Sequence, residues 1–124
     1  EQCLFCRIVA GEIPAEIVHR DENVVVFRDI NPQAPVHLLA IPTKHIARLT
    51  QPEAADGAML SQVFRVIQKM AADEGLDEGF RVVTNCGDNA GQTVHHLHFH
   101  ILGKRCLSWP PADSGNNMID LYLI

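Results

Sequence analysis

The most informative part of the sequence is residues 94–102, which read VHHLHFHIL. Neighbouring side chains on a β-strand point to opposite faces, and residues two apart share a face at a spacing of about 6.6 Å. The stretch therefore predicts a strand with three imidazoles on one face, from His96, His98 and His100, and an apolar face made by Leu97, Phe99 and Ile101. An ordinary exposed polar face is the alternative interpretation.

Three imidazoles on one face suggest a nucleophilic centre. Crowded rings resist simultaneous protonation, which favours a neutral imidazole near physiological pH. A neutral imidazole can attack phosphorus and leave again, so a covalent phosphohistidine intermediate is expected. The middle residue, His98, is best placed as the nucleophile, because rings on both sides can donate hydrogen bonds to phosphoryl oxygens. Residues 91–93 (GQT) supply small and hydroxyl groups at the strand entrance, and His95 is expected to be structural or exposed.

Five runs of the chain predict strands. Residues 17–20 and 24–28 predict a hairpin across a polar turn, and residues 37–41 predict a buried strand after a proline-rich turn. Residues 79–85 and 93–102 predict the last two strands. Because short turns join adjacent strands, the sheet is expected to be antiparallel and the fold class α+β.

Apolar periodicity predicts two helices. A short N-terminal helix is expected from the spacing of Leu4, Phe5, Ile8 and Val9. Residues 50–53 (TQPE) resemble a capping box and predict the start of one long amphipathic helix that ends near Gly75. The residues expected to face the hydrophobic core include Met59, Phe64, Met70 and Phe80.

The composition narrows the class of protein. A chain of 124 residues and 13.7 kDa with 47% hydrophobic residues predicts one globular domain. A net charge of −5 without any basic run argues against binding to nucleic acid or to anionic lipid. No apolar run approaches a membrane span, no secretory signal is evident at the start, and no P-loop is present. The expected compartment is the cytoplasm.

Residues 92–102 resemble the histidine triad (HIT) motif, in which three histidines alternate with apolar residues. The likeness extends through residues 3–8, 27–30, 35–45 and 108–111, and this set is similar to the Hint-like branch, the purine nucleoside phosphoramidases. It implies a HIT domain over residues 1–112, followed by a C-terminal extension, residues 113–124, that packs on the domain or on a partner subunit. It also implies a homodimer with one continuous ten-stranded sheet.

The resemblance further implies a reaction and its residues. His98 would attack the α-phosphate of a purine nucleoside 5'-phosphoramidate, releasing the monophosphate and an amine. His96, His100 and His37 would complete the catalytic group, with Thr93 beside the leaving group where the branch has Ser. Asp29 would accept the ribose hydroxyls. The remaining nucleotide contacts would come from Phe5, Ile8, Phe27 and Ile30 around the base, from Asn85, Gly91 and Gln92 around the phosphate and ribose, and from Trp109 across the dimer.

The first two cysteines suggest a metal site. Cys3 and Cys6 form a CxxC pair, and Cys2His2 is a tetrahedral zinc set. His45 and His96 are the candidate partners, as in bacterial HIT proteins that begin with a similar CxxC. A structural zinc is the preferred interpretation, and redox activity and simple packing are the alternatives. Cys86 and Cys106 show no metal spacing.

Two other functions remain open at this point. One is hydrolysis of dinucleoside polyphosphates, which the Trp-Pro-Pro ending at residues 109–111 makes less favoured. The other is a zinc-stabilised nucleotide-binding scaffold without physiological turnover. Ala112 stands where the Hint-like branch has Gly, and the chain runs on to Ile124. Because this end shapes substrate choice in the branch, the amine preference is not fixed by the resemblance.

Overall fold

The computed structural model describes residues 3–111. Helix α1 spans Leu4–Val9 and helix α2 spans Gly57–Asp73, with short 3-10 turns at Pro52–Ala55 and Asp88–Ala90. The strands are β1 (Ile17–Arg20), β2 (Val24–Arg28), β3 (Val36–Pro42), β4 (Phe80–Val83) and β5 (Phe99–Gly103). All neighbouring pairs are antiparallel and the order is β1-β2-β3-β5-β4, which confirms the predicted α+β fold with a five-stranded sheet. The predicted extension at residues 113–124 lies outside the described residues.

The sheet separates two hydrophobic clusters. On one side α2 packs through Val63, Val66, Ile67 and Met70 against residues that include Leu38, Phe99 and Ile101 of the sheet and Leu97, which precedes β5. On the other side Phe5 and Ile8 of α1 pack against Val25, Phe27, Leu39 and Ile41. Strands β2 and β3 are buried along nearly their whole length because both faces are covered. Among the described residues, neither helix has the length and apolar character needed to cross a bilayer.

The start of α2 differs from the capping box expected at residues 50–53. The side chain of Asp56 accepts a hydrogen bond from the backbone N–H of Met59 at 3.1 Å and forms the N-cap. The proline-led segment Pro52–Ala55 forms a separate 3-10 turn without a side-chain cap. An Asp side chain can accept a hydrogen bond from an unpaired backbone N–H at the start of a helix. Asp56, immediately before α2, therefore caps the helix instead of residues 50–53. The end near Gly75 is confirmed, since Gly75 follows the C-cap with φ of +70°.

The final strand begins later than the expected residue 93. Residues 94–98 bond to loops rather than to a neighbouring strand: the Leu97 N–H donates to the Ile46 carbonyl, and the Thr84 hydroxyl donates to the His98 carbonyl at 2.8 Å. Pairing starts at Phe99, opposite Ala40. The alternation of faces nevertheless persists through the unpaired part, because Leu97 lies in the α2 cluster while His96 and His98 contact Phe5 on the other side.

Two predicted core residues are exposed. Phe64 is 49% exposed and Phe80 is 40% exposed, so the expectation that both are buried is wrong. Phe64 lies off the buried stripe of α2, although its ring contacts Phe99 at 6.1 Å between centroids. Phe80 is on β4, the edge strand, where alternate side chains face outward. Of the two methionines predicted to lie in the core, Met70 is buried and Met59 is half-buried.

Candidate active site and metal centre

The rings of His37, His96, His98 and His100 lie on the α1 side of the sheet. His98 and His100 have ring centroids 5.0 Å apart, and His37, from the adjacent strand β3, lies 5.1 Å from His100. Strand pairing brings His37 opposite Leu102 and Leu39 opposite His100, which places the two imidazoles on one face. Burial is deep: His37 and His98 are each 6% exposed and His96 is fully buried. The imidazoles predicted to share one face, at every second residue from His96 to His100, therefore do lie close together.

The hydrogen bond of His98 fixes its tautomer. His98 Nδ1 lies 2.6 Å from the backbone carbonyl oxygen of His96. A carbonyl can only accept, so Nδ1 carries the proton and donates it. In the neutral ring, Nε2 is then left with its lone pair and without a proton. The ring of Phe5 packs edge-on against His98 at 5.1 Å and an interplanar angle of 86°, which limits its rotation.

A second chain of hydrogen bonds orients His37 and His100. The backbone N–H of Gln33 donates to His37 Nδ1 at 3.0 Å, so the His37 proton is on Nε2. His37 Nε2 lies 2.9 Å from His100 Nδ1 and 3.4 Å from Asp29 Oδ2. The shorter contact makes His37 the donor to His100. His100 Nδ1 therefore accepts, and His100 carries its proton on Nε2.

Burial keeps these rings neutral. Desolvation lowers the pKa of His98, because a buried imidazolium loses its hydration, and the hydrogen bond to the His96 carbonyl opposes this shift. Burial also lowers the pKa of His37, with Asp29 opposing it. For His100, burial together with the neighbouring His98 and His37 lowers the pKa to about 4. At neutral pH the site thus offers an unprotonated nitrogen on His98 beside an N–H on His100.

Cys3, Cys6, His45 and His96 converge next to the triad, with all four ligand atoms within 4.8 Å of one another. His96 Nδ1 lies 3.3 Å from Cys3 Sγ, 3.5 Å from Cys6 Sγ and 3.3 Å from His45 Nδ1. Cys6 Sγ lies 3.2 Å from His45 Nδ1. Metal bonds of about 2.1 Å to nitrogen and 2.3 Å to sulfur require ligand separations of about 3.4–3.8 Å in a tetrahedron. The four residues therefore fit a tetrahedral metal ion.

The orientation of His96 supports the same conclusion. His96 Nε2 lies 2.8 Å from the carbonyl oxygen of Pro42, so Nε2 carries the proton and Nδ1 offers a lone pair to the cluster. A backbone carbonyl holding the remote nitrogen is the usual support of a metal-bound histidine. A second possible set, Asp29 with His37 and His100, is different in kind. Its shortest separation, 2.9 Å, is that of the hydrogen bond described above.

Comparison with known proteins identifies the family. Residues 10–107 match the HIT domain. The chain belongs to the HIT family. An uncharacterized HIT-like protein of Synechococcus elongatus is 49% identical over 112 residues, or 90% of this chain and 98% of that protein. A HIT family hydrolase of Legionella pneumophila Philadelphia 1 is 47% identical at a TM-score of 0.86, covering 90% of this chain and 100% of that one.

A more distant HIT structure matches the same region. The histidine triad nucleotide-binding protein of Candida albicans is 32% identical at a TM-score of 0.78, and the alignment covers 91% of this chain and 86% of that one. The resemblance seen in the sequence is thus confirmed for the HIT family. Membership of the Hint-like branch stays a prediction.

The other residues expected from the HIT pattern lie at different depths. Phe5, Ile8 and Phe27 are buried in the hydrophobic cluster on the α1 side of the sheet, whereas Ile30 is 99% exposed and Trp109 is 64% exposed. Asp29 lies within reach of His37, as given above, and its Oδ1 accepts from the Asn31 N–H at 2.8 Å. Asn85 is half-buried, while Gly91, Thr93 and His95 are exposed. His37, His98, His100 and Asp29 therefore form one group, and Ile30 and Trp109 are exposed to solvent.

Gln92 of the HIT motif is bonded to the backbone of two loops. Its side-chain oxygen accepts from the Gly87 N–H at 2.9 Å. Its amide donates to the carbonyls of Ala47 at 2.8 Å and Val94 at 3.1 Å. The side chain is 5% exposed and holds the loop after β3 against the loop before the triad.

Some contributors to the site carry no signal in the sequence. Gln33 and Pro42 act through backbone atoms, and a backbone N–H or carbonyl is present whatever the residue type. Cys86, which shows no metal spacing in the sequence, has a thiol whose pKa is lowered by a hydrogen bond with the Arg48 side chain. A charged partner from a distant loop is visible only in three dimensions.

Proposed function

We propose that this HIT protein is a nucleotide hydrolase, and most specifically a purine nucleoside 5'-monophosphoramidase that acts through a covalent nucleotidyl-histidine on His98. The supporting observation is the donation of His98 Nδ1–H to the His96 carbonyl at 2.6 Å, which leaves Nε2 as a nucleophile. Two relatives point in the same direction, since one is called a HIT family hydrolase and another a histidine triad nucleotide-binding protein.

The chemistry divides into two displacements at phosphorus. In the first, the Nε2 lone pair of His98 forms a bond to phosphorus, and the bond from phosphorus to the leaving nitrogen breaks as that nitrogen takes a proton from solvent and departs as the amine. In the second, water attacks phosphorus and gives up a proton to solvent, and the bond from phosphorus to Nε2 breaks with its electron pair returning to Nε2, which releases the nucleoside monophosphate. The His100 Nε2–H donates to a phosphoryl oxygen in both steps, where negative charge develops.

The remaining residues are proposed to contact the ribose, the phosphate, the leaving group and the base. Asp29, whose side chain is 18% exposed, accepts the ribose hydroxyls. Thr93 places its hydroxyl beside the leaving group at the exposed entrance, and Asn85 and Gly91 contribute to the phosphate and ribose edge. Gln92 takes part mainly by holding its two loops, since its amide groups are already bonded to the backbone. Phe5, Ile8, Phe27, Ile30 and Trp109 complete the pocket in this proposal.

The metal in the Cys2His2 centre is proposed to be zinc. Cys3, Cys6, His45 and His96 supply the four ligands that a structural zinc site uses, with no position left for water or substrate. Such an ion supplies a crosslink between chain segments rather than a catalytic group. His96 would then serve the metal, and the nucleophile, His98, would act without it.

Release of AMP from adenosine 5'-phosphoramidate tests the proposed function. The parent is expected to release AMP, and His98→Ala is expected to lose activity by at least about a thousandfold, as nucleophile removals do in other covalent enzymes. His95→Ala is the matched control, because His95 is exposed and off the triad face. A His98→Ala protein as active as the parent would refute the mechanism. Comparable rates on a diadenosine polyphosphate would instead favour the polyphosphate hydrolase, and tight AMP binding without turnover would favour the scaffold.

We also propose that the working unit is a homodimer that extends the sheet at β4. Strand β4 is at the end of the strand order and pairs only with β5 within the described chain. Its outward residues Phe80 and Val82 are 40% and 38% exposed, and Phe64 of α2 lies exposed as well. Sedimentation of the parent is expected to show a dimer and that of Val82→Lys a monomer. A parent that sediments as a monomer would contradict this.

A further inference from the structure

His96 connects the metal centre to the nucleophile through a single residue. Its ring Nδ1 faces Cys3, Cys6 and His45, and its ring Nε2 is held by the Pro42 carbonyl. Its own backbone carbonyl accepts the proton of His98 Nδ1 at 2.6 Å. The ring of His96 and the carbonyl that sets the His98 tautomer are thus parts of one fully buried residue. Movement of this residue would change both.

Helix α1 provides a second connection. Cys3 is its N-cap and accepts from the Cys6 N–H at 3.3 Å, and Phe5 lies between the two cysteines in the sequence. The Phe5 ring contacts His98 at 5.1 Å and His96 at 6.0 Å between centroids. A helix of six residues has little stability of its own, so its position depends on its contacts. An ion bound by Cys3 and Cys6 would tie it directly to His96.

We propose that Cys3, Cys6, His45 and His96, by holding a metal ion, position His98: the ion fixes the His96 carbonyl and the Phe5 ring that together orient the nucleophilic imidazole. This inference deepens the proposed function and rests on it where substrate is concerned. Without the ion, no metal bonds tie His96 Nδ1 to Cys3 and Cys6, and the position of α1 depends on weaker contacts, among them its apolar packing and the hydrogen bond from the Arg20 side chain to the Val9 carbonyl. His98 then samples other ring orientations and loses its preference for a proton on Nδ1.

The first test is the tautomer of His98, followed at one pH near neutrality by the ring-nitrogen NMR shifts of the 15N-labelled full chain. The Zn²⁺-loaded parent is expected to show a protonated Nδ1 and a bare Nε2. After chelation the two shifts are expected to move towards each other, and added Zn²⁺ is expected to restore them. Unchanged His98 shifts in a protein shown by metal analysis to have lost its ion, with a folded backbone spectrum, would overturn the proposal.

Ligand variants show whether the ion itself is the cause. Cys6→Ser on α1 and His45→Gln on the loop after β3 remove one ligand each from segments far apart in sequence, and both are expected to reproduce the His98 shifts of the chelated parent. Cys106→Ser is the matched control, since Cys106 is exposed and outside the cluster. If either variant fails to fold, chelation and re-addition of Zn²⁺ to the parent still decide the question.

AMP affinity separates this inference from the proposed function. If the correctly oriented population of His98 falls to about a tenth without the ion, AMP affinity measured by calorimetry falls about tenfold. A parent that binds AMP equally well with and without Zn²⁺ would contradict the positioning role while leaving the proposed function intact. A parent that does not bind AMP at all would contradict the proposed function, and the NMR experiment would still test the orientation of His98.

Discussion

Lowering the pH is expected to destabilise the folded chain through His100. Burial and the neighbouring imidazoles lower its pKa from 6.5 to about 4, so the folded protein resists protonation that the unfolded chain accepts. Between these two values the unfolded state binds more protons, and the free energy of unfolding therefore rises with pH. The contribution of His100 is fully present above about pH 6.5 and is lost as the pH falls towards about 4.

The magnitude follows from the size of the shift. A difference of about 2.5 pKa units corresponds to about 3 kcal/mol in full, at about 1.4 kcal/mol per unit. At about pH 5, some 1.5 units below the unfolded value, about 2 kcal/mol of this is lost relative to about pH 8. Urea unfolding at a series of pH values, at constant Zn²⁺, measures the loss directly.

The variant His100→Gln isolates this contribution. It removes the titrating group while keeping a polar side chain, so its free energy of unfolding is expected to fall by about 2 kcal/mol less than that of the parent over the same pH range. Effects of pH on the metal ligands are common to both proteins and cancel in the difference. His95→Gln, at an exposed position, is expected to follow the parent. Equal losses in the parent and in His100→Gln would refute the assignment of a lowered pKa to His100.

Three substitutions, the first with a matched control, test contacts that support the fold, each by urea unfolding. Gly103→Ala would place a Cβ 2.6 Å from the buried Leu76 side chain and is expected to cost about 1–3 kcal/mol, whereas Gly57→Ala, in open space at the start of α2, is expected to be neutral or stabilising. Gln92→Leu leaves a buried backbone N–H without its partner and is expected to cost about 2 kcal/mol. Asp56→Ala removes the α2 cap and is expected to cost about 1 kcal/mol with a loss of helical signal. An unfolding free energy equal to that of the parent would contradict the expectation for Gly103→Ala, Gln92→Leu or Asp56→Ala, and a destabilised Gly57→Ala would contradict the expectation for that control.

The arrangement of side chains about the triad was predictable because it depends on a local periodicity. A spacing of two assigns alternate residues to opposite faces whether or not the strand is paired, so Leu97 reached the α2 cluster although pairing begins only at Phe99. The strand boundary was not predictable. It depends on which distant backbone groups compete for residues 94–98, and the loop carbonyl of Ile46 takes the N–H of Leu97.

Burial was predictable only where one element decides it. Met70 lies on the apolar stripe of α2 and is buried as expected. Phe64 and Phe80 are equally apolar but are exposed. Phe64 lies off the buried stripe of α2, and Phe80 is on β4, which is at the edge of the sheet. The sequence also did not decide which residue caps α2, because residues 50–53 and Asp56 both offer side chains that can cap a helix. The 3-10 turn at Pro52–Ala55 separates the two, and α2 begins only after it.

The triad also shows why a row of identical side chains need not do identical chemistry. Each ring has one nitrogen committed to a different partner: His96 donates from Nε2 to the Pro42 carbonyl, His98 donates from Nδ1 to the His96 carbonyl, and His100 accepts at Nδ1 from His37. The nitrogen that remains is therefore a lone pair facing two thiols in His96, a lone pair on Nε2 in His98 and an N–H in His100. These are the properties of a metal ligand, a nucleophile and a hydrogen-bond donor. Because two of the three partners are backbone carbonyls, the roles depend on the path of the main chain, and substitutions that move β3 or residues 94–98 should alter the chemistry without touching any histidine.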